Sequence, residues 1–393
     1  MLKRTDSRRT ALVVDGTRGS ALAAVRSLGR AGWRVVAPRG TPAAASRFVA
    51  ETADIPDAVR TPDEFVDAVD RLAAGGGIDL IAPSTDAALY LIHERCFMRG
   101  APIPVLGGTR ASVRIAADKA ALLRAAEAAG FPTPAWGAPA SASEGRQLAA
   151  EIGFPCVVKP RRSYVLRDRF RHRRHRIVAS AAELESALSA LAEADGALPL
   201  IQAFVEGRSL AVSAVIDDAA PTALAVRETR SFDPLKGGTS VWKRTLPASA
   251  VGVGTALELL GSIGFQGLAE VEYQVDAGGC PRLMEINPRL HGWTSLAVAA
   301  GADLPLAGAR AAVREPAAGM MVARAGVETR WLGGEVSRIK QLMRRRPELP
   351  PGRTRIAELR KAWPPWRPGM GYDGLDLSDP RPAFARLLGA GAA

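Results

Sequence analysis

Short apolar runs punctuate the first third of the chain at regular intervals. Residues 11–14 (Ala-Leu-Val-Val), 34–37 and 80–83 are such runs, each bounded by polar or turn-forming residues. Runs of this length read as buried strands. Between them the apolar positions recur at helical spacing. Leu22, Val25 and Leu28 share one face of 20–31, which Gly32 ends in the position that favours a left-handed residue. Thr61, Pro62, Asp63 and Glu64 read as a helix start: Thr at the cap, Pro in the first turn, acids at the positive end of the dipole. Residues 86–99 give a further helix. This alternation of strand and helix predicts a parallel, doubly wound sheet.

The middle of the chain has another rhythm. Strand-like runs follow one another at 156–159, 176–179, 200–205, 210–215, 223–228, 267–275 and 282–286, with helical stretches at 181–194 and 249–263. Consecutive strands pair antiparallel, so this is an α+β region distinct from the α/β region before it. From about Glu315 the chain is rich in Arg, Pro and Trp and has little regular pattern. A length of 393 residues suits two or three domains.

The stretch 267–292, GLAEVEYQVDAGGCPRLMEINPRLHG, concentrates the candidate chemistry. Gly278-Gly279 between two alternating runs signals a two-residue hairpin turn. Ala277 then faces Cys280, Glu272 lies opposite Glu285, and Glu270 opposite Asn287, with all four on one face. Like charges directly opposed in a sheet repel, and a hard cation such as Mg²⁺ relieves this. A solvated acidic face is the plainer reading; Asn287 and Arg289 at the same edge weigh against it. Lys159 closes the apolar strand before Pro160, where an ammonium can meet a phosphate. Asp118-Lys119 opens a helix over 119–129. Asp15-Gly16-Thr17-Arg18-Gly19-Ser20 follows the first strand but does not match GxGxxG, and there is no GxxxxGK[ST], GxSxG triad or HExxH.

Composition adds one unusual number. Hydrophobic residues at 47% and charged residues at 23% exclude a wholly disordered chain, but the net charge is +12. The surplus sits in two segments. Residues 159–176 hold nine Lys/Arg and one acid, Asp168; residues 338–361 hold nine Lys/Arg and two acids, Glu348 and Glu358. The rest of the chain is slightly acidic. The arginine-rich 161–176 reads as a solvated run, as a flap over an anionic ligand, or as a nucleic-acid patch with Tyr164 and Phe170 for stacking. His172 and His175 have HxxH spacing, but the flanking arginines repel a metal. Cys96, Cys156 and Cys280 are widely spaced, which fits a reducing compartment. No uncharged apolar run reaches the ~18 residues of a span, and the apolar stretch at 11–14 is too short for a signal peptide. The expectation is a soluble, cytoplasmic protein without a membrane partner.

In order along the chain, ADKAALLRAAEAAGFPTP, FPCVVKP, LIQAFVEG, GFQGLAEVEYQVD and PRLMEINPRLHG resemble the motifs of the ATP-grasp superfamily of carboxylate-activating ligases. The resemblance runs from about 11 to about 313. It is nearest to the carboxylate–amine ligase branch and to the ATP-grasp domains of carbamoyl-phosphate synthase and biotin carboxylase. It implies a Rossmann-like pre-ATP-grasp domain at 1–112, a two-lobed ATP-grasp module at 113–313 (lobes about 119–205 and 206–313) and a basic C-terminal extension at 314–393. It further implies a ligase that uses ATP and Mg²⁺ or Mn²⁺ to join a small carboxylate to an amine through an acyl-phosphate. Lys119 and Lys159 would contact phosphates. Gln202 and the backbone at Phe204 and Val205 would meet the adenine, with Glu206 near the ribose. Glu272, Glu285 and Asn287 would hold the metal, and Arg289 would stabilise the transferring phosphoryl group. Arg227 and Arg230 are candidates for the substrate carboxylate. The sequence departs from the family at two places: arginine replaces the glycine-rich flap after Lys159, and Gly207 is followed by Arg208 and Ser209 rather than by an acid. Two other readings stay open, a nucleic-acid-binding protein and an ATP-grasp protein that binds nucleotide without catalysis; so does a homodimer.

Overall fold

The computed structural model describes residues 8–96, 103–162, 175–192, 196–235, 237–317, 319–344, 349, 353–363 and 369–387. Most of the arginine-rich stretch, with Tyr164, Phe170 and His172, lies outside the described residues, as does Lys236.

The first region is the doubly wound sheet that the alternation predicts. Four parallel strands lie in the order Val49–Ala53, Arg34–Pro38, Thr10–Val13, Leu80–Ala82. Helices Gly19–Arg30, Pro62–Ala74 and Asp86–Glu94 connect them. The apolar runs are strands because both faces of a parallel sheet are covered: Ala11, Leu12, Val13, Val35 and Val36 are fully buried. The edge strand Val49–Ala53 carries Glu51 and Thr52 and gives no apolar run to read. Thr61 precedes its helix without a side-chain cap; its hydroxyl bonds Asp57 O instead.

The antiparallel region is two sheets. The smaller has the order Trp136–Gly137, Leu200–Ala203, Cys156–Lys159, Arg176–Val178. Helices Ala142–Ile152 and Ala181–Leu191 cover the face that shows Cys156, Val158 and Ile201. Its other face carries Val157, Lys159 and Gln202. Residues 204–207 then cross to the larger sheet, which has eight strands. Pro281–Asn287 forms one edge, followed by Gly267–Val275, Arg208–Asp217, Ala220–Asp233 and Thr239–Leu246. Helices Lys119–Ala128 and Val253–Ser262 pack on the face carrying Val212, Val226 and Val271. Helices Thr294–Ala299 and Leu304–Ala312 pack on the opposite face, over Ala211, Ala225 and Leu268.

The C-terminal stretch is more ordered than its composition suggests. Glu328–Arg330 and Gly371–Tyr372 extend the large sheet, and helices Leu332–Leu342 and Arg355–Ala362 pack beside it. Strand Thr239–Leu246 has no clean apolar pattern because it buries Lys243, whose ammonium pairs with Asp373. Arg26 of the first region likewise binds Asp379 at 2.9 Å in a buried ion pair. Both partners lie far along the chain from the charges they neutralise.

The first region meets the large sheet through backbone. Gly108 N donates to Pro288 O at 2.8 Å and Leu268 N to Gly107 O at 3.2 Å. Gly267 makes this approach feasible: its φ is +92°, and a Cβ there would lie 1.8 Å from Gly107 O. Gly267→Ala should therefore lower stability by about 2 kcal/mol or more. A reduced urea midpoint at unchanged slope would show it; a midpoint equal to the parent's would mean that the junction yields freely.

Candidate active site

The acidic hairpin has the expected pairing at its functional end, reached by a different route. Glu272 pairs with Glu285 and Glu270 with Asn287. The turn is not the expected two-residue Gly278-Gly279. Asp276 N donates to Cys280 O, so residues 277–279 form a three-residue loop, with Gly279 at φ +79°. That loop alone would shift the register by one and turn Glu285 to the far face. A bulge restores it: Tyr273 pairs with Leu283 and Glu272 with Glu285, leaving Met284 as the extra residue. The bulge also turns Met284 Sδ toward Lys159, 3.9 Å from its Nζ.

Three carboxylates converge on one amide. Asn287 Nδ2 donates to Glu270 Oε2 at 3.1 Å and lies 3.4 Å from both Glu272 Oε1 and Glu285 Oε1. Burial pushes the Glu272 carboxyl well above its ordinary value, and the charges of Glu270 and Glu285 add to the shift. Glu270 goes the other way. Burial opposes its charge, but Arg227 and the indole N–H of Trp293 outweigh that and hold its carboxyl below the ordinary value. Among the described residues no group of three His, Cys, Asp or Glu side chains has metal-holding geometry. The donor set here is two carboxylates and an amide around a third, already paired carboxylate. Its chemistry fits a hard cation, because the oxygens crowd a single positive-ended donor.

The two lysines approach from the opposite side. Burial pulls the Lys159 ammonium down to about 8; Glu285 opposes this, and the charge of Lys119 adds to it. Lys119 is itself buried, held where its helix starts with Asp118 as cap. Two buried ammonium groups near enough to repel form a place for a polyanion. On the same face of the small sheet, buried Gln202 has an amide nitrogen without a hydrogen-bond partner. Phe204 and Val205 are half-buried in the crossing between the sheets, and Glu206 is exposed there.

Arg289 is fixed by a residue that the sequence reading did not consider. Its Nε and Nη2 donate to Asp86 Oδ1 and Oδ2 at 2.7 and 2.8 Å, and Nη2 also reaches Asn287 Oδ1 at 3.0 Å. Asp86 begins a helix of the first region, capped by Thr85. The loop before it is ordered by Asp15, which accepts from Ser84 N at 2.7 Å and from Thr85 N at 3.1 Å. An acid at a helix start after a buried strand is the one local signal of this role.

Arg227 and Arg230, the candidates for the substrate carboxylate, stand in different surroundings. Arg227 is 1% exposed beside the carboxylates, with Nη2 3.6 Å from Glu270 and Nη1 donating to Ser240 Oγ at 2.6 Å. Arg230 lies in another cluster, where it, Arg208 and Arg244 surround Glu228. Alternation along the strand decides this: residues three apart point to opposite faces, and Arg230 shares its face with Glu228.

His291 completes the buried face. Ser213 Oγ donates to Ala269 O at 3.1 Å, so the 2.7 Å contact from His291 Nε2 places the ring proton on Nε2. Its Nδ1 has no partner, and the ring lies 4.4 Å from that of Trp293.

This arrangement, an α/β region followed by two antiparallel lobes with lysines on one and carboxylates on the other, is the ATP-grasp fold. Residues 200–335, about a third of the chain, match the family model described as "ATP-grasp in the biosynthetic pathway with Ter operon". The carbamoyl phosphate synthase large chain of Streptomyces coelicolor is 27% identical over 197 residues, 48% of this chain and 17% of that protein. The D-alanine–D-alanine ligase of Marinobacter nauticus is 31% identical over 168 residues, 40% of this chain and 49% of that protein. The chain thus spans less than half the length of either relative. A biotin carboxylase of Campylobacter jejuni, solved as a β-γ-ATP complex, superimposes with a TM-score of 0.64 at 15% identity, over 81% of this chain and 74% of that one. At that identity the likeness is one of fold.

Burial holds His291 neutral, its value falling from 6.5 to about 4. Its contribution to stability is complete above pH 6.5 and is lost as the pH falls toward 4, where the folded state must take up the proton. Between pH 6.5 and 5 the parent should lose stability faster than His291→Gln, in urea melts at several pH values. Parallel curves for the two proteins would contradict this.

Proposed function

We propose that this chain is an ATP-dependent ligase that activates a carboxylate as an acyl-phosphate and joins it to an amine, releasing ADP and phosphate. The observation that carries the reading is the opposition of Lys119 and Lys159 to Glu272, Glu285 and Asn287. Phosphoryl transfer demands little covalent chemistry from a protein; it needs charge placed and held. The divisions at 1–112, 113–313 and 314–393 are part of this reading, as is a cytoplasmic setting, to which three free cysteines are suited. Among the described residues no helix is long and apolar enough to cross a membrane.

Glu272, Glu285 and Asn287 would hold Mg²⁺ or Mn²⁺, which neutralises phosphate oxygens when bound. For Asn287 to serve, its amide oxygen must face the ion; side-chain rotation achieves that but gives up the bond to Arg289. Lys159 and Lys119 neutralise the phosphates from the other lobe. Gln202, with an unspent amide donor, and the backbone at Phe204 and Val205 bind the base, and Glu206 lies where a ribose hydroxyl can reach it. Arg289 presents its guanidinium to the charge that develops on the transferring phosphoryl group, and Asp86 holds it in one orientation. Arg227 has Nη1 bonded to Thr229 and Ser240 and Nη2 beside Glu270 and Glu272, while its buried Nε has no partner. Its task is to compensate Glu270 and Glu272 rather than to bind a free carboxylate.

Glu285→Ala should weaken Mg²⁺-dependent ATP binding at least tenfold by calorimetry. Unchanged affinity would remove the carboxylates from the nucleotide site. A screen of amino and hydroxy acids with amines should yield ADP as the sole nucleotide product; exclusive AMP would exclude the acyl-phosphate route. Asp86→Asn should lower kcat about tenfold and leave KM for ATP within about twofold, since orientation of Arg289 matters most in the transition state. A change in KM alone would instead make Asp86 a ground-state binding residue.

A further inference from the structure

The C-terminal helices Leu332–Leu342 and Arg355–Ala362 carry charge that the ATP site does not use. Their acids point inward. Glu335 is 2% exposed and lies 3.4 Å from Arg330 and 3.3 Å from Arg338; Glu358 is 3% exposed and lies 2.8 Å from both Arg338 and Lys361. These pairs hold the two helices against each other and against the sheet. They also remove both carboxylates from the outer surface.

What faces outward is basic and apolar at helical spacing. On the first helix and the residues just after it, Leu332, Val336, Lys340, Met343 and Arg344 follow at intervals that place them on one stripe. On the second, Ile356, Arg360 and Trp363 do the same. The apolar members are open to solvent: Met343 and Trp363 are each 71% exposed, Ile356 64% and Val336 53%. Arg355 donates to Arg344 O at 3.0 Å, which brings the end of one stripe to the start of the other. Large apolar side chains on a soluble surface call for a partner.

We propose that this face docks on a lipid bilayer rich in anionic phosphate headgroups. Charge complementarity decides the occupant: every exposed charge on the two stripes is positive, and each lies beside an apolar side chain long enough to enter the interface. Basic residues interleaved with Met, Ile, Val and Trp on a helix surface suit headgroups above hydrocarbon. A nucleic-acid backbone has no use for the aliphatic members. The stripes also lack the amides and carboxylates with which a folded partner is recognised. The expectation of no membrane partner concerned spanning runs, and a surface contact needs none.

The test uses the full chain in sedimentation with two kinds of vesicle, phosphatidylcholine alone and phosphatidylcholine enriched in phosphatidylglycerol. Retention on the anionic vesicles only, released by salt, is expected. Lys340→Ala, Arg344→Ala and Arg360→Ala should each weaken it about fivefold, and together about a hundredfold. Combining Met343→Ser, Ile356→Ser and Trp363→Ser should weaken it at least tenfold with its salt dependence retained. Urea midpoints within error of the parent would confirm that these exposed substitutions leave the fold intact. Equal retention on both vesicles, retention on neither, or retention indifferent to all six substitutions would overturn the proposal. So would binding of duplex DNA or RNA in preference to anionic vesicles, or a concentration-dependent dimer that the serine substitutions abolish.

Discussion

Three glutamates crowd one face of one sheet, and much of the surrounding structure answers that crowding. Glu270, Glu272 and Glu285 all come within 3.4 Å of a single nitrogen of Asn287. Unrelieved, such a group would repel itself apart or take up protons; at Glu272 burial, and after it the charges of Glu270 and Glu285, raise the carboxyl. The protein relieves it unevenly. Glu270 is the buried anchor, neutralised by Arg227 and bonded by Trp293. Glu272 and Glu285 are left with weak contacts and lie within electrostatic reach of Lys159. That inequality separates a fully countered acid from two that are only partly countered.

The site exists only where three parts of the chain meet. The large sheet contributes the carboxylates, the small sheet contributes Lys159 and Gln202, and the first region contributes Asp86. A continuous set of bonds runs from Asp15 through the loop at Ser84 and Thr85 to Asp86, Arg289 and Asn287. The loop after the first strand thus orients a guanidinium beside the acidic patch. The close backbone junction at Gly107, Gly108 and Gly267 fixes the distance over which this works.

The net charge of +12 carries less information than its placement. In the C-terminal helices some of the arginines are buried partners of glutamates, and the remainder are exposed beside apolar side chains. Arg330 and Arg338 act as internal counter-charges and Lys340, Arg344 and Arg360 as surface charge, although the sequence writes them alike. Buried ion pairs of this kind are costly to desolvate. Their use here is to set which way each helix turns.

The sequence by itself determined the parallel first sheet and the antiparallel middle. These follow from local hydrophobic period and glycine position, which act over a few residues. It also carried the motif order from which the ATP-grasp module was read. It missed strand Thr239–Leu246 and the order in the C-terminal stretch, where burial is supported by partners far away, such as Asp373 for Lys243. It reached the hairpin register through two irregularities that cancel, a longer turn and the bulge at Met284. Only the tertiary structure decided that Arg289 is held by Asp86, that Arg227 lies beside Glu270, and that a bulge at Met284 turns Glu285 back to the acidic face. The physical reason is the same for each. An ion pair is chosen by distance in space, and a single bulge reverses the face of a strand, so no local pattern along the chain can specify either.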